Sequence, residues 1–406
     1  MNKNFCILPF INLSTRPNGL PRICSEGYHE HMPELPSLND VSVNEFWNHD
    51  NLKKFRKDML DNKTLPYCDL CNYMEKNNGT SKRNSVNSSF FEKYQHIVDY
   101  ARDNDGEVPT GPVQWEIRLS SKCNLACLMC SPTNSNVIES QYMKNFDSLS
   151  QTDKELTIAA SKWSKKSNIS FIDQIWDHIE SIDQIELHGG EPFYNEDCLL
   201  LLENIIEKVP NNNIKLLVHT NMSFMNDRIV RILNSFKEVN FQMSIDGLDK
   251  ENEFIRWPSK WEVIKENLKI ADTCLTTTDN TVCVTVTPYN CLLLDHLLLW
   301  ILENYPNFSM HWFPATFPKR TNPSLIPLAD RKMQVEKLND LKSICNDKIK
   351  MNLDQIIKYL LKEDLNDQQT INEFVEYAML MDKVRKQNTL EMFPHLKSIF
   401  DRYKKD

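Results

Sequence analysis

The chain has 406 residues, 41% of them hydrophobic and 25% charged, which is ordinary for a globular protein able to bury a sizeable core and long enough for two or three domains. No run of about 18 apolar residues marks a membrane span, and the opening MNKNFCILPF is too short in apolar residues for a secretory signal, so a cytoplasmic protein with no membrane partner is expected. The net charge of −9 gives no general attraction for a polyphosphate backbone. Long nucleic acid is therefore the weaker partner expectation, and the local SKWSKK run from Ser161 to Lys166 reads first as a solvated face.

Twelve cysteines in a reducing compartment point to metal ligands where they cluster and to buried thiols where they do not. Cys198, Cys274, Cys283, Cys291 and Cys345 are scattered in apolar stretches and read as free thiols. The clustered set begins at the amino terminus. FCILPFINLSTRPNGLPRIC holds Cys6 and Cys24, and its PNG (Pro17 to Gly19) signals a hairpin between two β-like arms. EFWNHDNLKKFRKDML follows as a helix, LPYCDLC adds Cys68 and Cys71, and NGTSKR follows from Asn78 to Arg83. Four cysteines from a hairpin and a CxxC can enclose one metal centre completely, and these residues alone fit zinc as well as iron and sulfur. Residues 1–85 read as one small α+β domain and 86–112 as a helix and linker.

From Val113 onward β-like runs alternate with helical ones, the pattern of βαβ units around a parallel sheet. The strands expected are Val113 to Leu119, Gln184 to His188, Ile214 to Thr220, Asn240 to Ile245, Val282 to Thr287 and Phe308 to Phe313. Between them lie FIDQIWDHIESI, LLLLENIIEKV, RIVRILNSF, WEVIKENLKIA and LDHLLLWILENY, all with helical spacing. Six such units over 113–327 make an α/β fold of the partial (β/α)6 TIM type, with a helical region over 328–406. Along the strands Gln114, Glu116 and Arg118 alternate with apolar residues, as do Gln242, Ser244 and Asp246 and then Thr281, Cys283, Thr285 and Thr287. A closed small barrel fills its interior with branched aliphatics, so this lining predicts an open barrel around a polar ligand.

KCNLACLMC after the first strand sets Cys123, Cys127 and Cys130 at CxxxCxxC spacing, where α/β barrels carry their chemistry. Alone, this trio is also compatible with part of a zinc site. LHGGEPF ends the second strand, with Gly189 and Gly190 for close backbone approach and Glu191 to accept from an ammonium group. CNLACLMC and HGGEPF together resemble the radical SAM superfamily. The resemblance implies a 4Fe-4S cluster on Cys123, Cys127 and Cys130 whose open iron takes the amino and carboxylate groups of S-adenosylmethionine, with Gly189, Gly190 and Glu191 at the amine. MSIDG, with Ser244 and Asp246, is similar to the family's ribose-contacting segment. Arg256 in NEFIRW would reach the methionyl carboxylate, and Thr220 and Asn221 in HTNMS end the third strand near the cofactor.

The amino-terminal cysteines resemble those of a twitch domain, a shortened SPASM domain, although such domains usually follow the barrel. NPSLIPL and MDKVRKQNTLEMFP also have counterparts in a subgroup with the domain in front. This implies an auxiliary 4Fe-4S cluster on Cys6, Cys24, Cys68 and Cys71, with no open iron and a role in accepting an electron. The activity implied is reductive cleavage of S-adenosylmethionine to a 5′-deoxyadenosyl radical that takes hydrogen from a peptide or amino-acid-like substrate. The electron would come from an external donor such as flavodoxin or ferredoxin. Glu116, Arg118, His188, Gln242, Thr285, His311 and Trp312 are the side chains expected to line the cavity. The alternatives are the same chemistry on a small molecule, a sugar or nucleoside, and a non-catalytic zinc or iron-sulfur protein. No catalytic side chain is assigned.

Overall fold

The structure is a computed structural model, and it describes residues 2–76, 81–163, 172–210 and 213–404. Asn78 to Thr80 of the NGTSKR stretch, residues 164–166 of the SKWSKK run and Phe171 lie outside the described residues. Eight strands form one mostly parallel sheet in the order β2-β1-β3-β4-β5-β6-β7-β8: β1 Asn12–Thr15, β2 Pro21–Arg22, β3 Gln114–Ile117, β4 Gln184–Leu187, β5 Lys215–Thr220, β6 Glu238–Ser244, β7 Thr278–Val286 and β8 Ser309–Pro314. The six expected strands are all present, and the amino-terminal hairpin adds two more. The chain divides into two compact units, one of residues 1–120, 163–189 and 211–217, the other of 121–162, 190–210 and 218–406.

In the first unit Gly19, at φ +78°, turns the chain between β1 and β2, which pair antiparallel. β1 then runs parallel to β3, with Leu13 opposite Trp115, and β3 runs parallel to β4. Trp115, Ile117, Ile185 and Leu187 are buried, and so are Gln114 and Glu116 on the alternate positions of β3. Burial on both faces is what a parallel sheet demands, and the charge of Glu116 is met by Arg22 at 3.1 Å and Arg118 at 2.6 Å. EFWNHDNLKKFRKDML is two helices, Val43–Trp47 and Asp50–Leu60. The break comes at Asn48, whose amide bonds both N–H and C=O of Val108 and so turns away from a helical path. FIDQIWDHIESI likewise gives two short 3-10 turns, Asp173–Asp177 and Ile179–Ser181. Between them the His178 ring packs on Trp115 at 5.9 Å, a tertiary contact that overrides helical periodicity.

In the second unit β6, β7 and β8 are parallel, and Phe241, Met243, Val282, Val284 and Met310 form their buried rows. Burying each such side chain contributes roughly 1.5–3 kcal/mol. Helices Leu328–Leu341, Asp347–Leu360 and Gln368–Arg385 follow, as the apolar spacing after Pro327 predicts. Asn352 donates to the Met310 carbonyl at 3.0 Å and fastens the second of them to β8. Among the described residues no helix is long and apolar enough to cross a membrane.

Arg320 and Asp153, each 2% exposed, form a 2.9 Å ion pair, with the guanidinium 4.2 Å from the centre of the Tyr377 ring. Removing one partner of such a pair strands a buried charge, so Asp153→Ala is expected to cost about 3–5 kcal/mol in urea denaturation. A loss below about 1 kcal/mol, the scale of an exposed pair, would refute a structural role.

Candidate functional site

Cys123, Cys127 and Cys130 sit on a loop of the second unit whose backbone is pinned from outside. The Cys123 N–H donates to Asn136 Oδ1 at 2.8 Å, and Ser135 Oγ donates to the Leu125 carbonyl at 2.6 Å while capping helix Asn136–Lys144. Ala126 N–H reaches the Trp257 carbonyl at 2.6 Å and Leu128 N–H the Ile255 carbonyl at 2.9 Å. From the carboxyl-terminal helices Arg385 Nη2 donates to the Ala126 carbonyl at 2.7 Å. These anchors fix the backbone of the loop.

The three thiols are free, Cys123 and Cys127 only 8% exposed and Cys130 half-buried. Burial pushes all three up, Cys130 to about 12, so loading a metal must displace their protons. Two donors approach the sulfurs: Asn221 Nδ2 lies 4.0 Å from Cys123 Sγ and Arg256 Nη1 3.9 Å from Cys127 Sγ.

Glu191 is 1% exposed and accepts three hydrogen bonds, from Phe193 N–H at 3.1 Å and Thr220 Oγ1 at 2.8 Å on one oxygen and from Asn221 N–H at 2.6 Å on the other. Burial raises its carboxyl to about 7 against these bonds, which pull it down. A carboxylate held this way has acceptor capacity left for an ammonium group. Gly190, at φ +56°, lies so close to the loop that a Cβ would stand 2.1 Å from the Lys122 carbonyl oxygen. Gly189, at φ +77°, leaves room in the first unit for the Arg118 side chain, whose Cγ a Cβ would meet at 3.0 Å.

Asp246 is fully buried beyond the end of β6, accepting from Thr285 N–H at 2.7 Å and lying 2.7 Å from Arg256 Nε. The Asp246 and Cys127 charges hold Arg256 in its charged form against burial. Ser244 is half-buried at the last position of β6. Of the expected lining residues, Gln242 accepts from the Cys283 thiol at 3.1 Å, Trp312 is buried with an unpartnered Nε1, and Glu116 is tied to Arg22 and Arg118.

Cys6, Cys24, Cys68 and Cys71 all line one cavity in the first unit, with Tyr67 and Arg83. Arg56 donates to the Pro9 carbonyl at 2.7 Å and Arg83 to the Asn4 carbonyl at 3.1 Å, fixing the segment that carries Cys6. Tyr67 accepts from Cys24 N–H at 3.0 Å and donates to the Cys24 carbonyl at 2.9 Å. Burial pushes Cys24 to about 11 and Cys68 to about 12, with Lys82 drawing the first back and Arg83 the second. Free thiols around one cavity with two cations beside them fit a four-thiolate centre.

Sequence reasoning passed over Asn136, Ser135 and Arg385. Ser135 before an apolar run carried a capping signal. Arg385 carried none, because its partner lies 259 residues away.

Because the Glu191 carboxyl rises from 4.5 to about 7, the folded protein holds this proton longer than the unfolded chain. Its contribution is present at low pH and lost as pH rises through about 7, a span on the order of 3 kcal/mol. Melting temperatures of metal-free wild type and Glu191→Gln across pH 4 to 8 should show the wild type alone losing stability through that window. Parallel curves would contradict it.

Residues 117–290 match the family model described as the Radical SAM superfamily. No curated protein matches the chain. Similar solved structures include Streptococcus suis SuiB, at 15% identity over 72% of this chain and 63% of that one, with a TM-score of 0.38. They also include anSMEcpe with bound AdoMet and the Cp18Cys peptide, at 14% identity over 55% and 57%, with a TM-score of 0.37. TYW1 with a lysine-pyruvate adduct bound matches at 14% identity over 57% and 72%, with a TM-score of 0.29. The chain spans less than two thirds of the length of SuiB and anSMEcpe, and likenesses at these scores carry no assignment. The matched segment, under half of the chain, holds the cysteine loop, Glu191 and Arg256, and it is this segment that is similar to the radical SAM superfamily.

Proposed function

We propose that the enzyme cleaves S-adenosylmethionine reductively and uses the 5′-deoxyadenosyl radical to take hydrogen from a peptide or amino-acid-like substrate. The observation that carries this reading is the trio of buried free thiols on one anchored loop, with Glu191, Asn221 and Arg256 gathered around it. A 4Fe-4S cluster on Cys123, Cys127 and Cys130 supplies one electron and an open iron for the cofactor's amino and carboxylate groups. Glu191, oriented by Thr220 and by the Asn221 and Phe193 N–H groups, receives the methionyl ammonium. Gly190 lets backbone approach backbone beside it. Arg256, charged and paired with Asp246, serves the methionyl carboxylate, and Ser244 and Asp246 stand at the strand end assigned to the ribose. Burial keeps water from the radical.

Cys6, Cys24, Cys68 and Cys71 hold a second 4Fe-4S cluster in this reading, in a twitch-type domain ahead of the barrel. Lys82 and Arg83 offset part of the charge of four thiolates. A centre with every iron taken moves electrons rather than binding substrate, which suits removal of the second electron of an oxidation. The domain reading that goes with this is 1–85 auxiliary centre, 86–112 linker, 113–327 partial barrel and 328–406 helical region. A flavodoxin or ferredoxin in the cytoplasm supplies the reducing electron.

Anaerobic reconstitution tests both parts. Wild type should carry about eight irons per chain, and each cluster-deficient variant about four. With dithionite and S-adenosylmethionine, Cys127→Ala should form no 5′-deoxyadenosine above background. Cys68→Ala/Cys71→Ala should still form it but yield no oxidised product. Zinc in place of iron, or full cofactor cleavage by Cys127→Ala, would overturn the assignment. Turnover of a sugar or nucleoside but no peptide would overturn the substrate class alone.

A further inference from the structure

Helix Gln368–Arg385 ends on the cysteine loop, and its last residue is spent there. Arg385 Nη2 donates to the Ala126 carbonyl at 2.7 Å and to Gln141 Oε1 at 3.1 Å. The guanidinium carbon lies 5.3 Å from the centre of the Trp257 ring, and the Trp257 carbonyl in turn accepts from Ala126 N–H at 2.6 Å. Arg385 thus holds the Ala126 carbonyl directly and packs on the residue that holds the Ala126 N–H.

Its other nitrogens are unexplained by the protein. Arg385 is only 7% exposed, and both Nε and Nη1 are buried with no hydrogen-bond partner among the described residues. A buried donor left unmet is unfavourable, and a guanidinium cannot shed its proton to escape. Asp382, one turn back on the same helix, is engaged by the N–H and Oγ1 of Thr389, both at 2.9 Å. Arg256, the other cation at Cys127, has Asp246 as its counter-ion. Arg385 forms no ion pair among the described residues; its charge is felt by Asp382 and also by the Cys127 thiol, which it draws down.

Resting on the cluster assignment above, we infer that Arg385 is a positioning residue for the cluster on Cys123, Cys127 and Cys130, fixing the loop through Ala126 and raising the cluster's reduction potential with its charge and its two unmet donors. Net charge and hydrogen bonds near the sulfurs set such potentials. The carboxyl-terminal helices therefore take part in how readily the cluster accepts its electron.

The test is an EPR-monitored redox titration of the reconstituted full-length chain, following the signal that changes when S-adenosylmethionine is added. Arg385→Gln should lower the reduced-to-oxidised ratio at fixed potential about tenfold, equivalent to about 59 mV for one electron, while Arg385→Lys stays within about threefold of wild type. Gln141→Glu places a carboxylate against the guanidinium and should shift the ratio in the same direction without removing any packing. An unchanged ratio in Arg385→Gln at full iron content overturns the inference. If that variant does not fold, an unchanged ratio in Gln141→Glu overturns it instead. A wild type with no signal responsive to S-adenosylmethionine overturns the cluster assignment, and the inference with it.

Discussion

Three cysteines on one short loop keep a fixed arrangement only if the loop is held from outside. Residues 123–128 are held by Asn136 and Ser135 at a helix start, by the carbonyls of Ile255 and Trp257, and by Arg385. The same partners close the site. The peptide run that offers Ile255 and Trp257 as acceptors also carries Arg256, whose guanidinium approaches Cys127. Loop geometry and site electrostatics are therefore one arrangement: whatever moves the 255–257 segment moves both.

Burial is the second constraint, and it works on every group in the site. It raises the thiols, raises Glu191 and works against the charge of Arg256, which Asp246 and Cys127 offset. Each charge the chemistry needs must be provided by a neighbour. Arg256 supports Cys127, and Lys82 and Arg83 support the amino-terminal cysteines. The N–H and O–H groups of Phe193, Thr220 and Asn221 support Glu191.

Local signals were legible and long-range ones were not. Six strands, most helices and the cysteine and glycine motifs could be read because spacing and turn residues declare them within a few positions. The hairpin at Pro17 to Gly19 could be read, but its parallel partner β3 could not, since about a hundred residues separate Leu13 from Trp115 and nothing local encodes that pairing. The apolar spacing of FIDQIWDHIESI declared a helix, and the His178 contact with Trp115 broke it. In the site, Glu191 was legible from its motif, whereas the roles of Asn136 and Arg385 depend on where other segments arrive.

The hydrogen bond from Arg385 to Ala126 spans 259 residues. During synthesis, then, the thiols of Cys123, Cys127 and Cys130 leave the ribosome long before the helix that clamps their loop exists. Iron delivered to the emerging chain would meet sulfurs on a slack segment. The Arg385 contact forms only after the last helices dock, so on the reading proposed above a cluster inserted earlier would sit on a loop that lacks this anchor.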